Sequence, residues 1–251
     1  MELSHLNFDR GDQGMIGVRT VQAVGPSPLN ALPIEETAAA PLGEWSPDYS
    51  DLSAASASRA KRLMDIVIAA GALVFFLPLM LVIALLIRLE SKGPALFRQT
   101  RGGLRQAPFE IYKFRTMQQI EDGPAISHAK RNDPRVTSIG GFLRRSSLDE
   151  LPQLLNVLKG DMSIVGPRPH AVAHDDYYGR LIPCYRARMR AKPGLTGLAQ
   201  VTGYRGNVQD LESMAARVAR DLDYIENWSL QLDLKLILIT IVRLPFDQQA
   251  F

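Results

Sequence analysis

Only one cysteine, Cys184, occurs in 251 residues. An internal disulfide is therefore excluded, and the composition suits a reducing compartment. Basic residues are scarce at the start: residues 1–58 hold only Arg10 and Arg19 against eight acids, net −6. Residues 59–251 keep 27 of the 29 basic residues and 18 of the 26 acids, net +9. A basic body suits a polyanionic partner, whether nucleic acid, anionic lipid or phosphorylated small molecules. Charge is missing altogether from Ile66 to Ile87, a run of 22 residues. There is no Walker loop, dinucleotide fingerprint or nucleophile elbow. No basic start leads into an apolar run at the N-terminus, so a signal peptide is not expected there.

What is present divides the chain in three. Residues 1–58, rich in Pro, Ala and Ser, show no sustained apolar period. They are predicted to be a disordered extension, because too little apolar surface can be buried to offset the entropy of ordering. Residues 59–92 carry the uncharged run, which is long enough to span a bilayer as a helix. Two features oppose a simple span. Pro78 sits near its middle, where it removes a backbone hydrogen bond and clashes with the preceding turn. Both flanks are basic, with Arg59, Lys61 and Arg62 before and Arg88, Lys92, Arg98, Arg101 and Arg105 after, whereas one-way insertion favours asymmetry. A helix kinked at Pro78 can enter and leave on one face, but lipid cannot satisfy the backbone groups freed there. On the residues alone, both readings stand.

Residues 93–251 read as a soluble domain of short elements. "ALFRQTR" and "PFEIYKFRTM" are predicted strands around a Gly-Gly turn. "SIGGFLRRSSLDELPQLLNVLKG" reads as two helical pieces meeting near Ser147, the second stopped by Gly160. "DLESMAARVARDLDYIENWS" is a predicted helix with Leu211, Met214, Ala215, Val218, Leu222 and Ile225 on one stripe. "LQLDLKLILITIVRLPF" is short for a span and suits packing or lying in the membrane interface.

The chemistry concentrates at Asp149 and Glu150. Ser147 and Glu150 match a capping box, but Pro152 sits more easily if the helix starts at about Asp149. Capping alone would explain one acid. Around the pair lie Arg144, Arg145, Lys159 and Arg168, with Lys113 and Arg115 from "YKFRTM". A helix start amid cations favours anions, so both carboxylates are expected to stay ionised. Mg²⁺ is typically held by one or two carboxylates plus substrate phosphates. This group suits phosphoryl transfer at a membrane surface. His170 and His174 have metal spacing, but no further Cys or His completes a site. "RARMRAK" has no aromatic interleaving or recognition-helix pattern, so anionic lipid is a better partner than nucleic acid.

"KRLMDIVIAAGALVFFLPLMLVIALLIRLESKGPALFRQTRGG", "FEIYKFRTM", "GGFLRRSSLDELPQLLNVLKGDMSIVGPRPH" and "KPGLTGLAQVTGY" resemble the bacterial sugar transferases, the monotopic polyprenyl-phosphate phosphoglycosyl transferases. The resemblance covers about residues 59–245 and implies an α/β, helix-rich monotopic membrane protein. Its parts would be a re-entrant hairpin kinked at Pro78, amphipathic interfacial helices and a small sheet with irregular loops. It implies transfer of a sugar 1-phosphate from a UDP-sugar to undecaprenyl phosphate on the cytoplasmic face of the bacterial inner membrane, releasing UMP. Asp149 matches the family's nucleophile and Glu150 its Mg²⁺ ligand; Lys113, Arg115, Arg144 and Arg168 match basic positions placed to hold phosphates. The stretch from Gly203 to Thr240 looks like that of glucose-transferring members, with galactose next, although "VTGYRGN" departs from the commoner "NGWRGET". The resemblance implies the small form, without the additional N-terminal membrane helices and cofactor-like domain of larger members. A homodimer and contact with downstream glycosyltransferases are further partner expectations. Two other classes compete: a catalytically silent organiser of polysaccharide assembly, and a bitopic anchor carrying a nucleic-acid-binding domain. The intact acid pair and its cations favour the enzyme.

Overall fold

The computed structural model describes residues 51–118, 133–204, 206 and 210–243, together with the backbone of two short strands nearer the N-terminus. The chain divides into a unit of Met1–Thr37 and a unit of Ala38–Phe251. In the first, strands β1 (Phe8–Arg10) and β2 (Ile16–Val18) pair antiparallel, Phe8 opposite Val18. Most of the predicted extension lies outside the described residues.

In the larger unit the described residues begin at Asp51 and are already structured ahead of the predicted boundary at Arg59. A short helix α1 (Ala54–Ala57) is capped by Ser53, whose hydroxyl accepts from Ser56 N. Ser53 N donates to Arg190 O at 3.1 Å, Lys192 N donates to Ser56 Oγ at 3.0 Å, and Ala55 is buried. The Ser/Ala composition that reads as low complexity is here two helix caps on small, closely packed residues. Ser58 is the second cap, accepting from Lys61 N at the start of α2 (Arg59–Glu90).

Helix α2 runs 32 residues with Pro78 inside it, so the two arms expected on either side of the proline form one helical element. Among the described residues it is the one helix long and apolar enough to cross a membrane, and most of its apolar stretch is exposed. Exposure peaks mid-helix, at Val74 and Phe75, each 76% exposed. The two ends differ from the middle. Ala69, at the N-terminal end, packs in the main core with Leu154, Val157 and Tyr224. Ile83 and Ile87, near the C-terminal end, pack with Phe114 and Leu143. Both ends are thus sewn to one body, and the exposed apolar segment lies between them.

Strands β3 (Leu96–Gly102) and β4 (Pro108–Phe114) form the predicted hairpin, from Leu96 opposite Phe114 to Gly102 opposite Pro108. Helix α3 (Ser138–Ser146) is capped by Thr137, and any side chain at Gly140 would meet the Thr116 carbonyl, so glycine lets α3 close on the end of β4. Helix α4 (Gln153–Lys159) ends as expected at Gly160, which takes the left-handed φ of 95°. Strand β5 (Ser163–Val165) is completely buried and pairs parallel with β6 (Gly194–Thr196). Between them lie helix α5 (Val172–Leu181) and a 3-10 stretch, Tyr185–Arg190. Helices α6 (Leu198–Val201), α7 (Leu211–Glu226) and α8 (Leu230–Arg243) follow. The predicted stripe of α7 holds at Met214, Val218 and Ile225, which are buried, whereas Leu211 is exposed.

The base of α2 is fixed by charge as well as packing. Lys61 Nζ donates to Asp233 Oδ2 at 2.6 Å and to Val165 O at 3.0 Å. The Asp233 carboxylate also accepts from Tyr224 Oη (2.7 Å) and Trp228 Nε1 (3.0 Å). Asp65 accepts from Ser163 Oγ and Ile164 N, and Arg62 donates to the carbonyls of Val157 and Leu158. Every buried polar group here has a partner, as a stable interior requires.

Candidate active site

Asp149 and Glu150 do not open a helix. Ser147 adopts a left-handed conformation (φ 55°) after α3, and Leu148–Glu150 form a 3-10 turn before Pro152 and α4. Neither Ser147 nor Pro152 makes a side-chain cap. This corrects the expected helix start at Asp149: the left-handed residue redirects the chain, and the turn holds the acids out between two helices.

The turn meets the end of β4 and the loop after β5. Lys113 Nζ lies 2.7 Å from Glu150 Oε1. Arg168 grips both oxygens of Glu150, Nη2 to Oε1 at 2.7 Å and Nη1 to Oε2 at 3.3 Å. Such a forked pair fixes orientation as well as charge. Asp149 differs: among the described residues no group donates a hydrogen bond to its carboxylate. Arg144 lies within electrostatic reach of it, its Nε donating to Thr116 Oγ1 at 2.9 Å.

The two neighbours therefore titrate apart. Burial pushes the Asp149 carboxyl up to about 6, helped by the Glu150 charge and opposed by Lys113 and Arg144. Burial acts on Glu150 in the same direction, but Arg168 and Lys113 overcome it and hold the carboxyl well below its usual range. Equal ionisation of both acids is thus replaced by a firmly ionised Glu150 and an Asp149 that stays mostly ionised only above about pH 6. The division arises because the cations bond one acid and only approach the other.

Arg115 does not join this group. Its guanidinium donates to Lys92 O (2.7 Å), Ser91 O (2.7 Å) and Ser91 Oγ (2.9 Å) beyond the last turn of α2. It is buried as a C-terminal cap, since the last carbonyls of a helix lack intrahelical donors. His170 and His174 make no metal pair, because His170 Nδ1 faces Tyr185 Oη at 2.6 Å and Arg188 Nη1 at 2.9 Å.

Four further residues near the site were not among the candidate site residues read from the sequence. Arg188, held by Asp221 at 2.6 Å, donates to Arg168 O at 2.7 Å and so sets the loop that presents Arg168. Thr116 anchors Arg144. Arg101 of β3 and Arg217 of α7 stand close enough to Arg168 for its charge to oppose theirs. A signal for one of them was available: Arg217 and Asp221 interrupt the buried stripe of α7 one turn apart, where a solvated helix would carry apolar residues.

An unengaged carboxylate beside an ion-paired one, ringed by guanidinium and ammonium groups at the foot of an exposed apolar helix, defines a phosphoryl-transfer type of centre on a membrane-associated protein. Residues 56–246 match the family described as Bacterial sugar transferase, and the chain belongs to that family. A relative from Caulobacter vibrioides, named UDP-glucose:undecaprenyl-phosphate glucose-1-phosphate transferase, is 59% identical over 76% of this chain and 72% of its own length. One of the same name from Escherichia coli is 50% identical over 76% of this chain but only 41% of its own length. An Aeromonas hydrophila UDP-N-acetylgalactosamine-undecaprenyl-phosphate N-acetylgalactosaminephosphotransferase is 44% identical over 72% of this chain and 42% of its own length. The chain thus spans about two fifths of the latter two relatives.

Proposed function

We propose that this chain transfers glucose 1-phosphate from UDP-glucose to undecaprenyl phosphate at the cytoplasmic face of the bacterial inner membrane, initiating exopolysaccharide assembly. The observation that carries the mechanism is the free Asp149 carboxylate beside a Glu150 clamped by Lys113 and Arg168. In the first step an Asp149 oxygen attacks the sugar-bearing phosphorus. The bond from that phosphorus to the bridging oxygen breaks, and UMP leaves with the electron pair. A phosphosugar-aspartyl anhydride remains. In the second step a phosphate oxygen of undecaprenyl phosphate attacks the same phosphorus, and the Asp149 carboxylate departs. Two steps let a water-soluble donor and a lipid acceptor use one centre in turn. Lys113, Arg144 and Arg168 neutralise phosphate charge during both.

The donor set suits Mg²⁺ shared with substrate phosphates rather than caged by protein, because two adjacent carboxylates stand with no cluster of three ligand-type residues among the described ones. Glu150 would be its protein ligand, and the ion would add positive charge where phosphate charge gathers.

The same reading places the middle of α2 in the cytoplasmic leaflet with both ends on one side. Its ends hold the same body through Lys61–Asp233 and Ile87–Phe114, and no residue from 70 to 82 between them is buried. Helix α8 exposes Leu234, Leu238, Ile241 and Val242 on one stripe, the pattern of a helix lying in the interface. Galactose is the alternative sugar.

The test is UMP release from a panel of UDP-sugars by purified protein in membranes containing undecaprenyl phosphate. UDP-glucose should be turned over fastest; absence of UMP release with every donor would return the chain to a silent organiser. For topology, cysteines placed at residues 58 and 92 should both label from the cytoplasmic side. Labelling from opposite sides would make α2 a span. Pro78→Leu should shift the helix toward spanning.

A further inference from the structure

We propose that Arg101, Arg168 and Arg217 form a second phosphate pocket that holds the phosphate of the departing nucleoside monophosphate. The inference rests on the phosphotransfer reading above.

Three elements build the pocket. The end of β3 carries Arg101 and bridges to Ala171, which ties it to the loop bearing Arg168. Arg217 comes from α7 and reaches Gly206 O and the His170 ring. Arg168 is common to both sides, within electrostatic reach of Asp149 as well as of Arg101 and Arg217.

The cluster is short of negative charge. Counting Arg188, four guanidinium groups share Asp149, Glu150, Asp175 and Asp221, and Lys113 and Arg144 draw on the first two as well. Glu150 is also claimed by Lys113, Asp221 is taken by Arg188, and Asp175 accepts from Tyr185 Oη through Oδ1 while its Oδ2 is buried without a donor. His170 offers no relief. Its Nδ1 faces the Arg188 guanidinium, which can only donate, so this nitrogen is the acceptor and Nε2 carries the hydrogen. The Nη1 of Arg217, 3.4 Å from Nε2, then meets a donor rather than an acceptor. Burial and the neighbouring Arg168 charge bring both Arg101 and Arg217 down to about 10.

Two donors of the cluster are unpaired. The Nε groups of Arg101 and Arg217 are both buried without an acceptor. Arg217 is 6% exposed. Buried donors normally find partners, and like charges are not packed together without a compensating anion. A phosphate monoester supplies several acceptor oxygens and two negative charges.

The chemistry of the reaction says which phosphate. The two phosphates of a nucleoside diphosphate share one oxygen and must be held together. With the sugar-bearing phosphorus at Asp149, in-line displacement directs the other phosphate away from the nucleophile. Arg101 and Arg217 suit that second phosphate, since both stand beside Arg168 yet neither is among the charges that act on Asp149. A lipid phosphate has the same headgroup chemistry, so the test must separate the two sources.

Binding of UMP, of uridine and of a short polyprenyl phosphate is measured by calorimetry on the detergent-purified full chain. Wild type should bind UMP at least about tenfold more tightly than uridine. Arg101→Gln and Arg217→Gln should each weaken UMP about tenfold, the loss of one charge-assisted hydrogen bond, and leave uridine unchanged. Arg101→Lys and Arg217→Lys, which keep charge but lose the fork, should fall between. Folded variants of both positions that bind UMP as wild type would overturn the pocket. Weakening of the polyprenyl phosphate alone would overturn the nucleotide assignment. UMP binding that responds to both arginines in a protein that turns over no UDP-sugar would sustain the pocket and sink the transferase reading.

Discussion

The Lys61–Asp233 network and the Arg101–Arg168–Arg217 cluster are both buried and both ionic, but they are finished to different degrees. At the base of α2, one lysine meets one aspartate, and Tyr224, Trp228 and the Val165 carbonyl complete their hydrogen bonds. Beside Glu150, cations outnumber their partners and two guanidinium nitrogens are orphaned. A complete network has nothing left to offer a ligand and serves to hold elements together. An incomplete one retains unspent attraction for an anion, at a cost to the stability of the empty protein.

Mutations can break that comparison. The largest effect is expected on the incomplete side: Asp149→Asn should lower UMP release by about 10³-fold or more, since no neighbouring carboxylate is free to replace it. Undiminished UMP release would remove Asp149 as nucleophile. On the complete side, Lys61→Met should leave Asp233 buried without its counter-ion and cost about 3–5 kcal/mol. Thermal unfolding in detergent should register this as a fall of about 10 °C, largely restored by pairing it with Asp233→Leu. Arg115→Met should cost about 2 kcal/mol from unsatisfied carbonyls beyond α2, while UMP affinity stays at the wild-type value.

Asp149 also gives a pH signature. Its carboxyl titrates at about 6 in the free protein, and only the ionised form attacks. The kcat/KM profile should therefore rise with pH through about 6 rather than near 4. The linked stability runs the other way. A folded-state value raised above the unfolded one gives stability that is present at low pH and lost as pH climbs through about 6, so Asp149→Asn should be slightly more stable than wild type at pH 7.5. The smallest effect belongs to the surface. Arg98 and Glu110, 3.7 Å apart and both more than half exposed, should change stability by less than about 0.5 kcal/mol on removal of either charge.

Much of the local structure was legible in advance. The β3–β4 hairpin, the stop at Gly160 and the helix α7 follow from turn residues and apolar period. The Ser/Ala segment before Arg59 was not, because capping depends on where a helix begins and not on composition. At the site, the acid pair and Lys113, Arg144 and Arg168 stand out by motif, whereas Arg115 belongs to the same motif as Lys113 yet turns to the other side of the strand. Alternation would put Arg115 on the face of Lys113, two residues before it, but Arg115 lies past the end of β4 at Phe114, so only packing reveals where its guanidinium goes.

Near neighbours in the sequence set the uncharged run of α2, the stop of α4 at Gly160, and the adjacency of Asp149 and Glu150. The tertiary structure decided the different environments of those two acids and the gathering of Arg101, Arg168 and Arg217 around them. Charge acts through space and grows stronger as water is excluded, so a group's chemistry is set by what folds against it rather than by what precedes it in the chain.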